Sequence, residues 1–163
     1  MGKRREGREA AVQYLFSCDM HSEAQESQLE TFWTLHTAKA GTRQYAETLI
    51  KGVLQHQTAI DEHIRGCLVN FSFERLSTVD RNVLRMAVHE LLHCPEVPAP
   101  VVLNEAIEVA KALSAGESGS FVNGVLDRLA KKLRPNEPRH SRPAPAPNQD
   151  SEPGEAHQIQ NRE

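Results

Sequence analysis

The sequence has few aromatic residues, few cysteines and no long apolar run. Aromatics make up 5% of the 163 residues, and the three cysteines are Cys18, Cys67 and Cys94. An odd number of widely spaced cysteines without a C-x-x-C pair indicates neither a disulfide framework nor a cysteine zinc site, so we expect buried free thiols. No stretch approaches the roughly 18 apolar residues that span a bilayer, and no apolar signal segment follows the charged start. We therefore expect a cytoplasmic protein without a membrane contact.

Strong charge of either sign is also missing, since the formal net charge is −3. This balance argues against a protein that coats nucleic acid nonspecifically. Residues 135–163 differ from the rest, because they hold six of the nine prolines and almost no large apolar residue. Such a composition cannot bury enough surface to fold. We expect one domain over residues 1–134 and a disordered, proline-rich acidic tail over residues 135–163.

Within the domain, apolar residues recur at helical spacing and no segment alternates as a half-buried strand does. The fold class is therefore predicted to be all-α. Ser77 and Asp80 form a capping-box-like start for a helix over residues 78–93, which Pro95 must end. Other helices are predicted over residues 5–19 and 101–113, with further ones between them and a last one beginning near Ser118 or Ser120. Residues 70–76 are expected to form an apolar plug between two helical halves, through Phe71, Phe73 and Leu76.

One helix carries the sequence HELLH, from His89 to His93. Two histidines four residues apart share a helix face and can bind one zinc ion, with Glu90 placed as the base for its water. The glycine and third histidine of the longer metzincin pattern are absent, and Arg81 and Arg85 lie on the same stripe, where they repel a dication. The preferred interpretation is two histidines on a narrow solvated stripe. A zinc-dependent hydrolase stays as the alternative.

Four segments together resemble the NusB family: REAAVQYLFS at 8–17, RLSTVDRNVLRMAVHELL at 75–92, VPAPVVLNEAIEVAK at 97–111 and FVNGVLDRLA at 121–130. The resemblance implies a seven-helix, two-subdomain bundle without catalytic chemistry or cofactor. It further implies binding to the boxA element of nascent ribosomal RNA together with NusE, a small-subunit ribosomal protein, within the RNA polymerase antitermination complex. A homodimer and a module of the kind fused to RNA methyltransferases remain open.

The resemblance also indicates where RNA binds. Its arginine-rich start falls on Lys3, Arg4, Arg5 and Arg8, where flexible cations on a first helical turn can follow a phosphate backbone. A second RNA contact is expected at the turn over residues 116–121, through Glu117, Ser118 and Phe121. A helix N-terminus there offers positive charge, and an exposed Phe can stack on a base. The alternatives are a solvated helix end for the cations, a core position for the Phe and capping for the Ser.

For the partner protein, the resemblance points to Phe16 on the first helix and to Asp80, Arg81 and Arg85 on the fifth. An aromatic anchor beside mixed charges is typical of a heteromeric interface. The alternatives are core packing for Phe16 and helix capping for Asp80.

Overall fold

The computed structural model describes residues 2–21, 28–114 and 118–137. Within these ranges the chain forms seven α-helices and no strand, which confirms the all-α prediction. The helices are α1 (Lys3–Met20), α2 (Leu29–Leu35), α3 (Ala40–Gln55), α4 (Gln57–Cys67), α5 (Thr78–His93), α6 (Ala99–Leu113) and α7 (Ser118–Leu133).

Helix α5 is the centre of the fold, because it packs against α1, α3, α4, α6 and α7. A surface helix has one apolar stripe, whereas a helix with neighbours on most sides is buried nearly all round. Eleven of the residues of α5 are accordingly buried, including the polar or charged Asp80, Asn82, Arg85, His89 and Glu90. Burying such polar groups requires partners, and Asn82, Arg85 and Glu90 have theirs on α1 and α4.

The predicted bounds of α5 are confirmed. Its N-cap is Ser77, whose hydroxyl accepts a hydrogen bond of 3.1 Å from the backbone N–H of Asp80. Helix α6 begins two residues earlier than expected, at Ala99, with Pro100 in its first turn. Proline is tolerated there because the N–H that it lacks has no partner inside the helix.

The linker before α5 is only partly an apolar plug. Phe73 and Leu76 are 7% and 4% exposed and belong to the core, but Phe71 is 42% exposed, so its predicted place in the plug is wrong. The backbone turns at Asn70, whose φ of 53° is a left-handed conformation that asparagine tolerates better than most residues. That turn sends Phe71 outward.

After α7 the described chain continues to Glu137, three residues into the segment expected to be disordered; the rest of that segment lies outside the described residues. Arg134 donates hydrogen bonds to the carbonyl oxygens of Glu90, Leu91, Cys94 and Val97, at 2.6 to 2.9 Å. These carbonyls belong to the C-terminal end of α5 and the turn after it, where a helix leaves its acceptors unsatisfied. Glu137 accepts a hydrogen bond of 2.6 Å from the N–H of Ala99. Residues 134–137 thus provide hydrogen-bond partners for the C-terminal end of α5 and for the start of α6.

The three cysteines are free thiols, of which only Cys67 is buried; Cys18 and Cys94 are partly exposed, so the burial prediction is wrong for those two. Partial burial nevertheless raises the pKa of both Cys18 and Cys94. None of the helices in the described ranges is long and apolar enough to cross a membrane.

Candidate RNA and partner interface

The basic start of α1 divides into exposed and buried cations. Lys3 and Arg4 are exposed on the first turn, and neither forms an ion pair with another described residue. The guanidinium of Arg4 lies 5.7 Å from the ring centre of Tyr45. Lys3 and Arg4 are therefore available to an anion from solvent.

Arg8, by contrast, is buried, with 2% of its surface exposed. Its Nε and Nη2 donate to the two carboxylate oxygens of Glu90 at 2.7 and 2.9 Å, and Nη2 also reaches the hydroxyl of Tyr45 at 3.2 Å. Burial alone lowers the pKa of Arg8, but the hydrogen bonds and charge of Glu90 outweigh burial and raise the pKa above its ordinary value. The expectation of a flexible cation at this position is corrected: Arg8 is a fixed charge that joins α1 to α5.

Arg5 is intermediate between these two cases. Its Nε and Nη2 donate to Glu105 on α6 at 2.9 and 2.8 Å, while 37% of its side chain remains exposed. The hydrogen bond and charge of Arg5 lower the pKa of Glu105, so this carboxylate is ionised and part of the positive charge is neutralised. An open cavity of about 450 Å³ lies here, lined by Gly2, Arg4, Arg5, Arg8, Val101 and Glu105.

The second predicted RNA contact is described only in part. Glu117 lies outside the described residues, and Ser118 is the first residue of α7. Phe121 is partly buried against the core, and its ring centre lies 5.4 Å from that of the exposed Phe71. Phe121 is therefore not a fully buried core residue, and one of its neighbours is an accessible aromatic ring.

Two of the four residues expected to meet a partner protein, Arg81 and Arg85, contact Asp19, a residue that no sequence pattern indicated. Arg85 donates to both carboxylate oxygens of Asp19 at 3.0 and 2.9 Å and to those of Asp61 at 2.8 and 2.9 Å. Arg81 lies 3.5 Å from Asp19. This network ties the C-terminal end of α1 to the start of α5 and to α4.

The residues of this cluster differ in exposure, and therefore in whether they can contact a partner protein. Arg85 and Asp80 are 4% and 7% exposed, so neither presents its charge freely to a partner; Arg81 remains partly accessible. Burial lowers the pKa of Arg85, but the bond to Asp61 outweighs it and the net shift is upward. At the start of α5 the Asp80 N–H donates to the Ser77 hydroxyl, so Ser77 is the cap; capping by the Asp80 carboxylate stays a prediction.

Phe16 is 38% exposed, one turn before Asp19 on α1. Met20, at 59% exposure, lies one turn further along the same face, and Leu35 on α2 is 77% exposed. Met20 and Leu35 border an open groove of about 590 Å³ between α1 and α2. Exposed apolar side chains gathered at one place commonly mark a protein contact.

The HELLH side chains do not converge as a zinc site. His89 is 6% exposed and packs beside Gly52, so the expected solvated stripe is wrong for this residue, while His93 is exposed with its ring 4.4 Å from that of His56. Burial, with the charges of His93 and His56, lowers the pKa of His89 to about 4. The carboxylate of Glu90 is already bound by Arg8. No three His, Cys, Asp or Glu side chains among the described residues are arranged to hold a metal ion.

The acidic partners that define these sites, Asp19, Asp61 and Glu90, were not predicted from the sequence. Each meets an arginine that is between 24 and 82 residues away in the chain. The only available signal was that Arg8 and Arg85 fall within otherwise apolar helix faces, where a charge needs a buried counterion.

Comparison with known proteins decides the family. The family model described as NusB family matches residues 5–131. The chain belongs to the NusB family. Its relatives include the transcription antitermination protein NusB of Sorangium cellulosum (strain So ce56), which is 45% identical over 133 residues, covering 82% of this chain and 95% of that protein. The NusB of Syntrophus aciditrophicus (strain SB) is 38% identical, over 89% of this chain and 91% of that protein.

Solved NusB structures share the fold. T. maritima NusB matches with a TM-score of 0.70 and 37% identity, over 79% of this chain and 91% of that chain. A chain from the crystal structure of the antitermination factors NusB and NusE in complex with double-stranded RNA matches with a TM-score of 0.74 and 28% identity, over 81% of this chain and 98% of that chain. These likenesses confirm the NusB-type bundle that the sequence motifs indicated.

Proposed function

We propose that the chain is a transcription antitermination factor that binds boxA-type RNA of nascent ribosomal transcripts together with NusE. It acts by binding, as part of the RNA polymerase antitermination complex in the cytoplasm. Family membership supports this role, as does the likeness to a chain from a complex of NusB, NusE and RNA. The observation that carries the RNA half is the pair of exposed cations at the start of α1, Lys3 and Arg4, which bind no acid in the described ranges; Arg4 also lines an open cavity.

In this proposal Lys3, Arg4 and Arg5 contact phosphates. Arg5 does so with the exposed part of a guanidinium that Glu105 holds in place. Arg8 has a different role, because its bond to Glu90 fixes the first turns of α1 against α5 and so positions the other three cations. The turn with Glu117, Ser118 and Phe121 supplies the second RNA contact, in which Phe121 stacks on a base.

The NusE half is assigned to the exposed apolar residues of α1 and the accessible part of the acid and arginine network. Phe16 and Arg81 touch the partner, because both keep exposed surface. Asp80 and Arg85 hold the start of α5 in position, because both are buried. A central aromatic anchor with a polar rim is the usual anatomy of such interfaces.

Fluorescence anisotropy of a labelled boxA-type RNA tests the RNA half, with a scrambled RNA as reference and with NusE present or absent. The parent should prefer boxA-type RNA, and NusE should strengthen binding. Arg4→Ala should weaken binding and reduce the slope of log affinity against log salt by about 0.7 to 1, because one phosphate contact is lost.

The matched control is Lys51→Ala, which removes an exposed cation from α3, away from the start of α1, and should leave affinity and salt slope unchanged. For the partner half, Phe16→Ala should abolish the strengthening by NusE and leave RNA binding without NusE intact. Equal binding of boxA-type and scrambled RNA under all conditions would contradict the proposed function.

A further inference from the structure

A row of four residues on α7 faces the end of α4 and the linker after it. Residues three or four apart share one face of a helix. The row consists of Phe121, Gly124, Arg128 and Lys132. It meets the other segment at Phe71, whose ring is 5.4 Å from that of Phe121, and at the carbonyl of Cys67, which accepts a bond of 2.7 Å from Arg128 Nε. We call this surface the α4–α7 seam.

The aromatic end of the seam is accessible. Phe71 is 42% exposed and the neighbouring Val69 is 64% exposed. The two phenylalanine rings are tilted by 54°, so they do not cover each other face to face. The exposed part of Phe71 is available for contact with a planar group, as aromatic side chains contact bases.

The basic end of the seam carries unneutralised charge. Arg128 and Lys132 are both exposed, and neither forms an ion pair with an acid in the described part of the chain. Arg128 bonds to the described residues through Nε, and its two Nη atoms form no hydrogen bond with them. Gly66 lies beside the Lys132 ammonium and Gly124 beside an Arg128 Nη atom, since a Cβ at these positions would be 3.1 and 3.9 Å away. Because glycine has no side chain, neither residue covers the cation next to it.

We propose that the α4–α7 seam binds single-stranded RNA that continues from the α6–α7 turn, with a base stacked on Phe71 and phosphates on Arg128 and Lys132. The proposal rests on the proposed function, because Phe121 joins the seam to the second RNA contact. Aromatic rings followed by cations free of counterions are the composition of grooves that bind single strands without reading sequence. The helix from Phe121 to Lys132 is roughly 16 Å long, enough for several nucleotides. Charge favours RNA here over a protein partner, since a protein contact on the apolar end needs no such cations.

The test compares a boxA-type RNA with the same RNA extended by about six uridines at either end, using the full chain. An extension on one end should raise the affinity of the parent roughly tenfold, within the range that stacking on one aromatic residue provides. Phe71→Ala and Lys132→Gln should each remove most of that gain and leave the affinity for the short RNA unchanged. Lys131→Gln is the matched control, because Lys131 is an exposed neighbour that lies about 100° away around the helix.

Both test residues are exposed at their tips, so the variants should fold, and circular dichroism of each verifies this. The proposal is overturned if neither extension adds affinity, or if the gain survives in both variants, while binding of the short RNA leaves the proposed function intact. A loss of NusE recruitment without a loss of RNA affinity would overturn it too, because the seam would then be a protein surface. If neither RNA binds the parent, both proposals fail.

Discussion

The imidazole of His89 occupies the space that a side chain at position 52 would need. A Cβ built on Gly52 of α3 overlaps the His89 ring of α5, so the two helices approach closely only because position 52 has no side chain. Gly52→Ala should lower the free energy of unfolding by about 1–3 kcal/mol, the usual cost of overpacking. Chemical denaturation measures this change.

Two further comparisons test whether overlap with the His89 ring causes the destabilisation by Gly52→Ala. In a His89→Ala background, Gly52→Ala should cost much less, because the overlapping ring is gone. Gly124→Ala on α7 should be neutral or stabilising, since a Cβ there meets only an Arg128 atom at 3.9 Å among the described residues. Equal costs for Gly52→Ala with and without the His89 ring would refute this explanation.

The buried His89 also makes stability depend on pH. Its pKa is lowered to about 4 from 6.5, so between these values the unfolded chain binds a proton that the folded chain does not. Stability is therefore full above pH 6.5 and falls on acidification, by about 3 kcal/mol in total when pH 4 is reached. Denaturation at intervals between pH 7 and 4 measures this slope.

His89→Leu should flatten that slope, because the variant has no group titrating at this site. His21→Gln is the control, since His21 is exposed at the end of α1 and should leave the slope as in the parent. An unchanged slope in His89→Leu would assign the acid sensitivity to other groups.

The buried pair of Arg8 and Glu90 should be far more important for stability than an exposed pair. Glu90→Gln leaves the buried Arg8 charge with only Glu105, 3.8 Å away, as a counterion, and we expect a loss of up to about 3–5 kcal/mol. Glu30→Gln breaks the 2.9 Å pair with Arg43 but should cost at most about 1 kcal/mol, because Glu30 is 83% exposed. Similar losses in the two variants, measured by urea denaturation, would contradict the assigned difference.

Arg134 should be required for the end of α5 although it lies beyond α7. Arg134→Ala removes a hydrogen bond from each of four backbone carbonyls, of which those of Glu90 and Cys94 keep a backbone N–H as a second donor, and we expect a loss of about 2–4 kcal/mol. Arg134→Lys should recover only a small part, because an ammonium cannot reproduce the planar fork of a guanidinium. Hydrogen exchange should show faster exchange in the last turn of α5; full protection in Arg134→Ala would disprove the role.

The part of the structure that sequence could predict is the part that local chemistry determines. Ser77 and Pro95 bounded α5 correctly, since a cap and a proline act on residues within one turn. Helical periodicity likewise predicted a last helix beginning near Ser118 or Ser120, and α7 begins at Ser118 with Val122, Val125 and Leu126 fully buried.

Accessibility of the candidate site could not be predicted in this way. Lys3, Arg4, Arg5 and Arg8 look alike in sequence, but Glu90 and Glu105, which distinguish them, lie 82 and 100 residues away from their partners. Phe71 and Phe73 both fit an apolar pattern, and the left-handed turn at Asn70 decides which of them reaches solvent. Long-range pairing and one backbone angle therefore account for most of the corrections.

The hydrogen bond from Ala99 to Glu137 holds Glu137, the last described residue, beside the start of α6. Ala99 starts α6, and Val101, two residues on, lines the cavity beside Arg4 and Arg5. A group attached directly at Glu137 is therefore close to the cationic surface, and a group attached there through a short flexible linker would have an effective concentration in the millimolar range. An acidic tag placed there competes with RNA at a concentration that dilution does not lower, whereas a fluorophore placed there reports on that surface directly.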